Sequence, residues 1–185
     1  MYWIVLIIGV ALWWAAHLFK RVAPARRASM GDPGKGAVAA GIAAGIVLMI
    51  IGYRGVDFIP VWQPPAFMVH INNLGMLIAL YMLSPAPKRG KLLANMRHPM
   101  LTGFSIWAVV HLLVNGDLAS VILFGGLLIW ALLTVRVING AEPAWEPAVA
   151  ERSYAKDAMF MVGSVVLLGV IGFVHNWLGV WPFPS

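Results

Sequence analysis

The sequence predicts an all-α protein: a polytopic transmembrane helical bundle of about six spans that forms a single domain over residues 1–185. Three observations predict this class. The chain is 61% hydrophobic and only 11% charged, and its mean hydropathy is +0.84, whereas soluble domains are far more polar. Several uncharged runs are long enough to cross a bilayer. The basic residues are concentrated in alternate loops, which is typical of a multi-pass membrane protein.

Each predicted span is an uncharged run near the minimum length for crossing a membrane, about 17 residues. The runs cover residues 2–19, 37–53, 66–84, 99–114, 118–135 and 158–181. The fourth is short, and Pro99 suits its first turn, where no backbone N–H is needed. The tight turn 115–117 predicts that the fourth and fifth spans form a helical hairpin, with Asp117 as N-cap of the fifth. In the second span, Gly41 and Gly45 predict close helix packing.

The distribution of lysine and arginine predicts the orientation. Twelve of the 13 basic residues fall in the predicted loops 20–36 and 136–157 or between residues 88 and 97, and only Arg54 lies on the other side. Such loops are cytoplasmic under the positive-inside rule. Both termini are therefore predicted outside, in a multi-pass protein of the bacterial inner (cytoplasmic) membrane whose first partner is the lipid bilayer.

Several function classes find no support in the sequence. The net charge of +6 is explained by the loops, and no nucleic-acid-binding motif accompanies it. The chain has no cysteine, which excludes thiolate ligands and disulfides. No zinc-protease, serine-hydrolase or nucleotide-binding motif is present.

His111 is the most informative polar residue because it lies well inside the fourth span. A polar side chain at membrane depth is costly and usually faces the bundle interior or a cavity. Gly103, Trp107 and His111 follow one another at intervals of four, which places them on one face of a helix. A glycine and an aromatic ring beside a histidine suit the approach of a flat macrocycle, and haem iron commonly takes axial histidine. The alternative is an interior hydrogen bond to a neighbouring helix.

The other membrane histidines differ in predicted depth. His17 lies near the inner end of the first span, and His70 lies about one turn into the third span from outside. By depth alone, His70 is the easier partner for His111. For His175, near the end of the last span, a hydrogen bond or an interfacial position is the favoured interpretation.

The segment RHPMLTGFSIWAVVHLLVNGDLASVILFGGLLIWAL resembles the NnrU family of bacterial membrane proteins. The likeness extends over residues 1–135, including the first span with His17 and MVHINNLGMLIAL around His70. The family is named from gene neighbourhoods tied to nitrite and nitric oxide reduction, which implies respiratory or denitrification enzymes as partners. It is also similar to zeta-carotene isomerase, a membrane enzyme that uses haem b to isomerise a cis double bond. The resemblance thus implies a haem b protein, isomerase-like, with His17 and His111 at the iron. Predicted depth separates these two by about 15 Å, so the choice between His17 and His70 stays open.

A second likeness concerns a candidate site at the inner face. RHPMLTG is similar to the arginine-histidine-proline-x-tyrosine-x-glycine block of integral membrane methyltransferases, with Leu101 in place of the tyrosine. That resemblance implies S-adenosylmethionine binding by Arg97 and His98. A basic residue at this place is also typical of a topology anchor in lipid headgroups. A third hypothesis is a non-catalytic accessory of respiratory enzymes, for which no single histidine is essential.

Overall fold

The computed structural model describes residues 1–147 and 151–184, so residues 148–150 of the predicted loop 136–157 lie outside the described part. The described residues are almost all helical or in connecting loops. The helices are α1 (Tyr2–Val22), α2 (Pro24–Ser29), α3 (Pro33–Gly55), α4 (Met68–Leu83), α5 (Ala86–Arg89), α6 (Pro99–Val114), α7 (Leu118–Ser120), a π-helical turn (Val121–Gly125), α8 (Gly126–Ala141) and α9 (Tyr154–Trp177).

Each of the six predicted spans is helical over most of its length, although the helix of the sixth ends at Trp177, four residues early. The prediction of an all-α membrane protein is confirmed. Four helical stretches are long and apolar enough to cross a membrane: α1, α3, α9 and the continuous run Leu118–Ala141 formed by α7, the π-helical turn and α8. Helices α4 and α6 have 16 residues each. They are therefore about 24 Å long, shorter than a hydrocarbon core of about 30 Å.

Two predicted loops are more helical than expected. Within residues 20–36, α1 continues to Val22, and α2 and α3 begin at Pro24 and Pro33, each at the position where proline is tolerated. At the other loop, α9 begins at Tyr154, four residues before the predicted start. Charged residues end a hydrophobic run without ending a helix, because the backbone bonds of a helix continue into the headgroup region.

The chain divides into two compact units, of which the first comprises residues 1–63 and 116–130. Here α1 packs against α3 through glycines. A Cβ on Gly45 would lie 3.2 Å from the Gly9 carbonyl oxygen, and one on Gly9 would lie 2.7 Å from the Met49 nitrogen. Backbones approach this closely only where side chains are absent, so the predicted packing role of Gly45 is confirmed.

Asp117 caps the helix that follows it in the first unit, as predicted. Its Oδ1 accepts a hydrogen bond from the Ser120 backbone N–H at 2.9 Å, and Oδ2 accepts one from the Ser120 hydroxyl at 2.6 Å. The Tyr53 hydroxyl joins this network, 2.8 Å from the Ser120 Oγ. The buried cap therefore ties α3 to the start of α7.

The second unit comprises residues 64–115 and 131–185, of which the structure describes all but residues 148–150 and 185. Helices α4 and α6 are antiparallel and meet at two glycines. A Cβ on Gly75 would meet Val110, and one on Gly103 would lie 2.8 Å from the Met82 Cβ. Gly103 therefore serves helix packing, which differs from its expected role beside a macrocycle.

Candidate cofactor site

His111 lies in the last turn of α6, half-buried within the second unit. Its Nδ1–H donates to the Trp107 carbonyl oxygen one turn earlier, at 2.8 Å. The centroids of the Trp107 indole and the His111 imidazole are 5.1 Å apart. A single residue thus supplies both a hydrogen-bond acceptor and an aromatic neighbour for this histidine.

His17 has the same local geometry in the first unit. Its Nδ1–H donates to the Trp13 carbonyl oxygen at 2.9 Å, and the two ring centroids are 4.1 Å apart. The indole of Trp130 packs edge-on against His17, with centroids 4.8 Å apart. The imidazole of His17 is therefore held between two indoles.

A sequence pattern accompanies the tryptophan–histidine contact at both positions. The pattern tryptophan-x-x-x-histidine occurs at Trp13–His17 and again at Trp107–His111. Because residues four apart are neighbours on a helix, the tryptophan and the histidine stack. The histidine also reaches the carbonyl of residue i−4.

The hydrogen bond to the carbonyl fixes the chemical state of each ring. A carbonyl oxygen only accepts, so Nδ1 must carry the proton, and in a neutral imidazole the lone pair is then on Nε2. Metal-bound histidines usually have this arrangement, with the second ring nitrogen donating to a carbonyl or carboxylate. His17 and His111 are thus set in the tautomer that binds a metal through Nε2.

His175 and His70 differ from each other. His175 is half-buried near the end of α9, and its Nδ1–H donates to the Ile171 carbonyl oxygen at 2.8 Å. The favoured interpretation of His175, a local hydrogen bond, is therefore confirmed. His70 is exposed in the first turn of α4, and no hydrogen bond to its ring occurs within residues 1–147 and 151–184.

Asn72 is a buried polar residue that the sequence analysis did not single out. It is 7% exposed. Its Nδ2 donates to the Asn73 Oδ1 at 3.2 Å, whereas its own Oδ1 has no partner among the described residues. Asn72 precedes Gly75 by three residues, and Gly75 meets Val110, so Asn72 lies level with the last turn of α6. A buried unpaired oxygen at that level is a place for a water or a bound group to donate a hydrogen bond.

The predicted inner-face residues Arg97 and His98 both bind the end of α8 in the second unit. The Arg97 guanidinium donates to the Glu142 carbonyl oxygen. His98 Nε2 donates to the Asn139 Oδ1 at 2.8 Å. A cation at a helix C-terminus is favourable because the last carbonyls carry partial negative charge. Both side chains therefore anchor the C-terminal end of α8.

Asp157 is a second residue that the sequence analysis missed, because the predicted sixth span started one position later. It is 3% exposed in the first turn of α9. Its carboxylate accepts hydrogen bonds from the Tyr81 hydroxyl and from the backbone N–H groups of Lys91 and Leu92. A Cβ on Gly90 would collide with this carboxylate. Asp157 therefore holds α4 and the segment after α5 against the start of α9.

The fold and these residues define a class: an all-helical membrane protein whose apolar helices carry histidines in a metal-binding tautomer. A family model described as NnrU protein matches residues 5–182. The chain therefore belongs to the NnrU family, over nearly its whole length. Comparisons with curated proteins and with solved structures gave no match.

Proposed function

We propose that the protein binds haem b in the bacterial inner membrane and that His111 and a second histidine would hold the iron. The observation that carries the proposal is the Trp107–His111 pair. The carbonyl of Trp107 holds the proton on Nδ1, which places the lone pair of the neutral ring on Nε2, the atom that would bind the iron. The proposed role is isomerase-like chemistry or a function linked to nitric oxide and denitrification.

The donor set of the chain suits haem better than a bare metal ion. Structural and catalytic metal ions take three or four protein ligands, whereas a porphyrin supplies four nitrogens itself and leaves one or two positions for the protein. Within residues 1–147 and 151–184, no group of three or more histidine, aspartate or glutamate side chains is arranged to hold a metal ion. Imidazoles set in the Nε2-binding tautomer fit the axial positions of a haem.

The residues of the chain would bind and tune the group. The Trp107 carbonyl makes the His111 imidazole a stronger donor, because a hydrogen bond from Nδ1–H raises the basicity of Nε2. The Trp107 indole packs beside the ring on an apolar helix, and the burial and polarity around an iron ligand shift the redox potential. Haem bound there would supply a one-electron redox couple or an open coordination position for a small ligand or a polyene.

Three histidines are candidates for the second ligand. His17 has the resemblance and the repeated tryptophan-x-x-x-histidine geometry in its favour. His175 belongs to the same unit as His111 and carries the same bond from Nδ1. His70 was favoured by predicted depth, but it is exposed and lacks that bond. The role of His70 stays a prediction, and single variants separate the three.

The test is an absorption spectrum of the detergent-purified protein, oxidised and dithionite-reduced. It is recorded for the wild type and for alanine variants of His111, His17, His70 and His175. We expect a Soret band that shifts on reduction and collapses in His111→Ala and in one other variant. His98→Ala is the matched control, because its Nε2 donates to Asn139 and it should leave the band unchanged. In His111→Gly, added imidazole should restore the band.

A colourless wild type, after expression with ample haem, would refute the proposal. A band that survives in every single-histidine variant would refute His111 as a ligand.

The methyltransferase alternative predicts instead that S-adenosylmethionine binds and that Arg97→Ala abolishes this binding. It has less support, since Arg97 and His98 already bind the end of α8. A non-catalytic accessory would show neither property.

A further inference from the structure

A long apolar groove runs along α1 in the first unit. It has a volume of about 780 Å³ and is lined by α1 residues that include Ile7, Trp14, Leu18 and Val22, together with Ile122 and Gly126. Small-molecule sites have volumes of about 300–1,000 Å³. The groove is open to one side and has the volume of a ligand site.

One side of the groove is lined by Ile122, which lies in the π-helical turn Val121–Gly125, and by Gly126 directly after it. A π-helical turn disturbs the regular backbone bonding of a helix and often occurs at a functional site. The Trp14 indole N–H donates to the Gly126 carbonyl oxygen at 3.1 Å. A Cβ on Gly126 would lie 3.0 Å from a methyl group of Val10, so a side chain there would displace Val10. These contacts keep the groove open without a polar group inside it.

The length and charge of the groove indicate its occupant. From Ile7 to Val22 the groove extends about 22 Å, more than the roughly 15 Å of hydrocarbon in one leaflet of a bilayer. Arg21 follows Leu18 by three residues and so lies on the same face of α1, and Arg26 is exposed just beyond. Residues 1–31 contain four basic residues and no acidic one. The basic end thus suits an anionic headgroup, and the apolar length suits one acyl chain.

We propose that this groove is a binding site for an anionic phospholipid, with one acyl chain along α1 and the headgroup phosphate at Arg21 and Arg26. The site is independent of the proposed haem. Each cation near the membrane surface contributes about a fivefold gain in affinity for anionic lipid. Two cations together give a preference of about 25-fold over a neutral lipid with the same acyl chains.

The test uses native mass spectrometry of the whole protein in mild detergent with equal amounts of dioleoyl-phosphatidylglycerol and dioleoyl-phosphatidylcholine. We expect one retained phosphatidylglycerol per protein. Ala15→Trp fills the groove and should lower this adduct at least tenfold. Ala40→Trp is the matched control, because Ala40 is also exposed but lies on α3. The two positions are equivalent along their helices: Ala15 lies seven residues before the end of α1, and Ala40 lies seven residues after the start of α3.

A second pair of variants tests the headgroup site without filling the groove. Arg26→Gln should lower phosphatidylglycerol binding about fivefold. Arg54→Gln is the control. It also removes one positive charge, but Arg54 lies near the end of α3, distant in sequence from Arg26, so phosphatidylglycerol binding should be unchanged. Equal retention of phosphatidylcholine would overturn the proposal, and so would an adduct that survives Ala15→Trp. A protein dimer that Ala15→Trp dissociates would show that a second copy occupies the groove and would also overturn it.

Discussion

Replacing Asp157 with alanine should destabilise the protein strongly. The change removes the acceptor of three donors: the Tyr81 hydroxyl and the backbone N–H groups of Lys91, at 2.6 Å, and Leu92, at 3.3 Å. Each lost hydrogen bond contributes about 1 kcal/mol, so the expected loss in free energy of unfolding is about 3 kcal/mol. For a chain of this size that corresponds to a fall in melting temperature of about 6–12 °C.

The measurement is thermal unfolding in detergent, followed by tryptophan fluorescence, for Asp157→Ala, Tyr81→Phe and the double variant. Because the two side chains are bonded, the double variant should lose about 1 kcal/mol less than the sum of the single variants. Asp32→Ala is the control. Asp32 pairs with Lys35 at 2.7 Å on an exposed surface, with a side chain 88% exposed, and such pairs contribute little. A melting temperature for Asp157→Ala within 2 °C of the Asp32→Ala value would refute the assigned role of the carboxylate.

Two further predictions concern packing and topology. Gly103→Ala should destabilise the protein by about 1–2 kcal/mol, because the new methyl group lies 2.8 Å from the Met82 Cβ and overpacks the contact of α4 with α6. Gly163→Ala, which meets nothing within 4 Å, should be neutral or stabilising by up to about 1 kcal/mol in the same unfolding assay. The chain lacks cysteine, so a membrane-impermeant maleimide added to intact cells should label Asp57→Cys and spare Ser29→Cys. The reverse pattern would contradict the predicted orientation.

The sequence predicts the local features of this fold well. The length of each uncharged apolar run predicts the positions of the six main helices, because crossing a bilayer requires an apolar segment of about 20 residues. Pro99 at the first position of α6 and Asp117 as a cap follow from backbone rules that act within a few residues. The sequence predicts close packing at Gly45 but does not identify its partners on α1. A small residue indicates that another helix can approach, but it does not indicate which helix.

The features that the sequence did not reveal depend on contacts between distant segments. The sequence predicts a loop at Asp157, because its charge ends an uncharged run. Its burial depends on donors 65 to 76 residues away. The π-helical turn at Val121–Gly125 has no compositional signature in this chain. The groove beside it forms only when α1 is packed against that turn.

The proposal of a haem ligand depends on the state of two half-buried histidines. An imidazole whose Nδ1–H donates to a carbonyl oxygen has its lone pair on Nε2 when it is neutral. His17 and His111 both make this hydrogen bond, each to a tryptophan carbonyl four residues earlier. Because a histidine binds haem iron through such a lone pair, both positions are suited to a ligand. The spectra of the single-histidine variants measure whether the Soret band depends on both positions, on one or on neither.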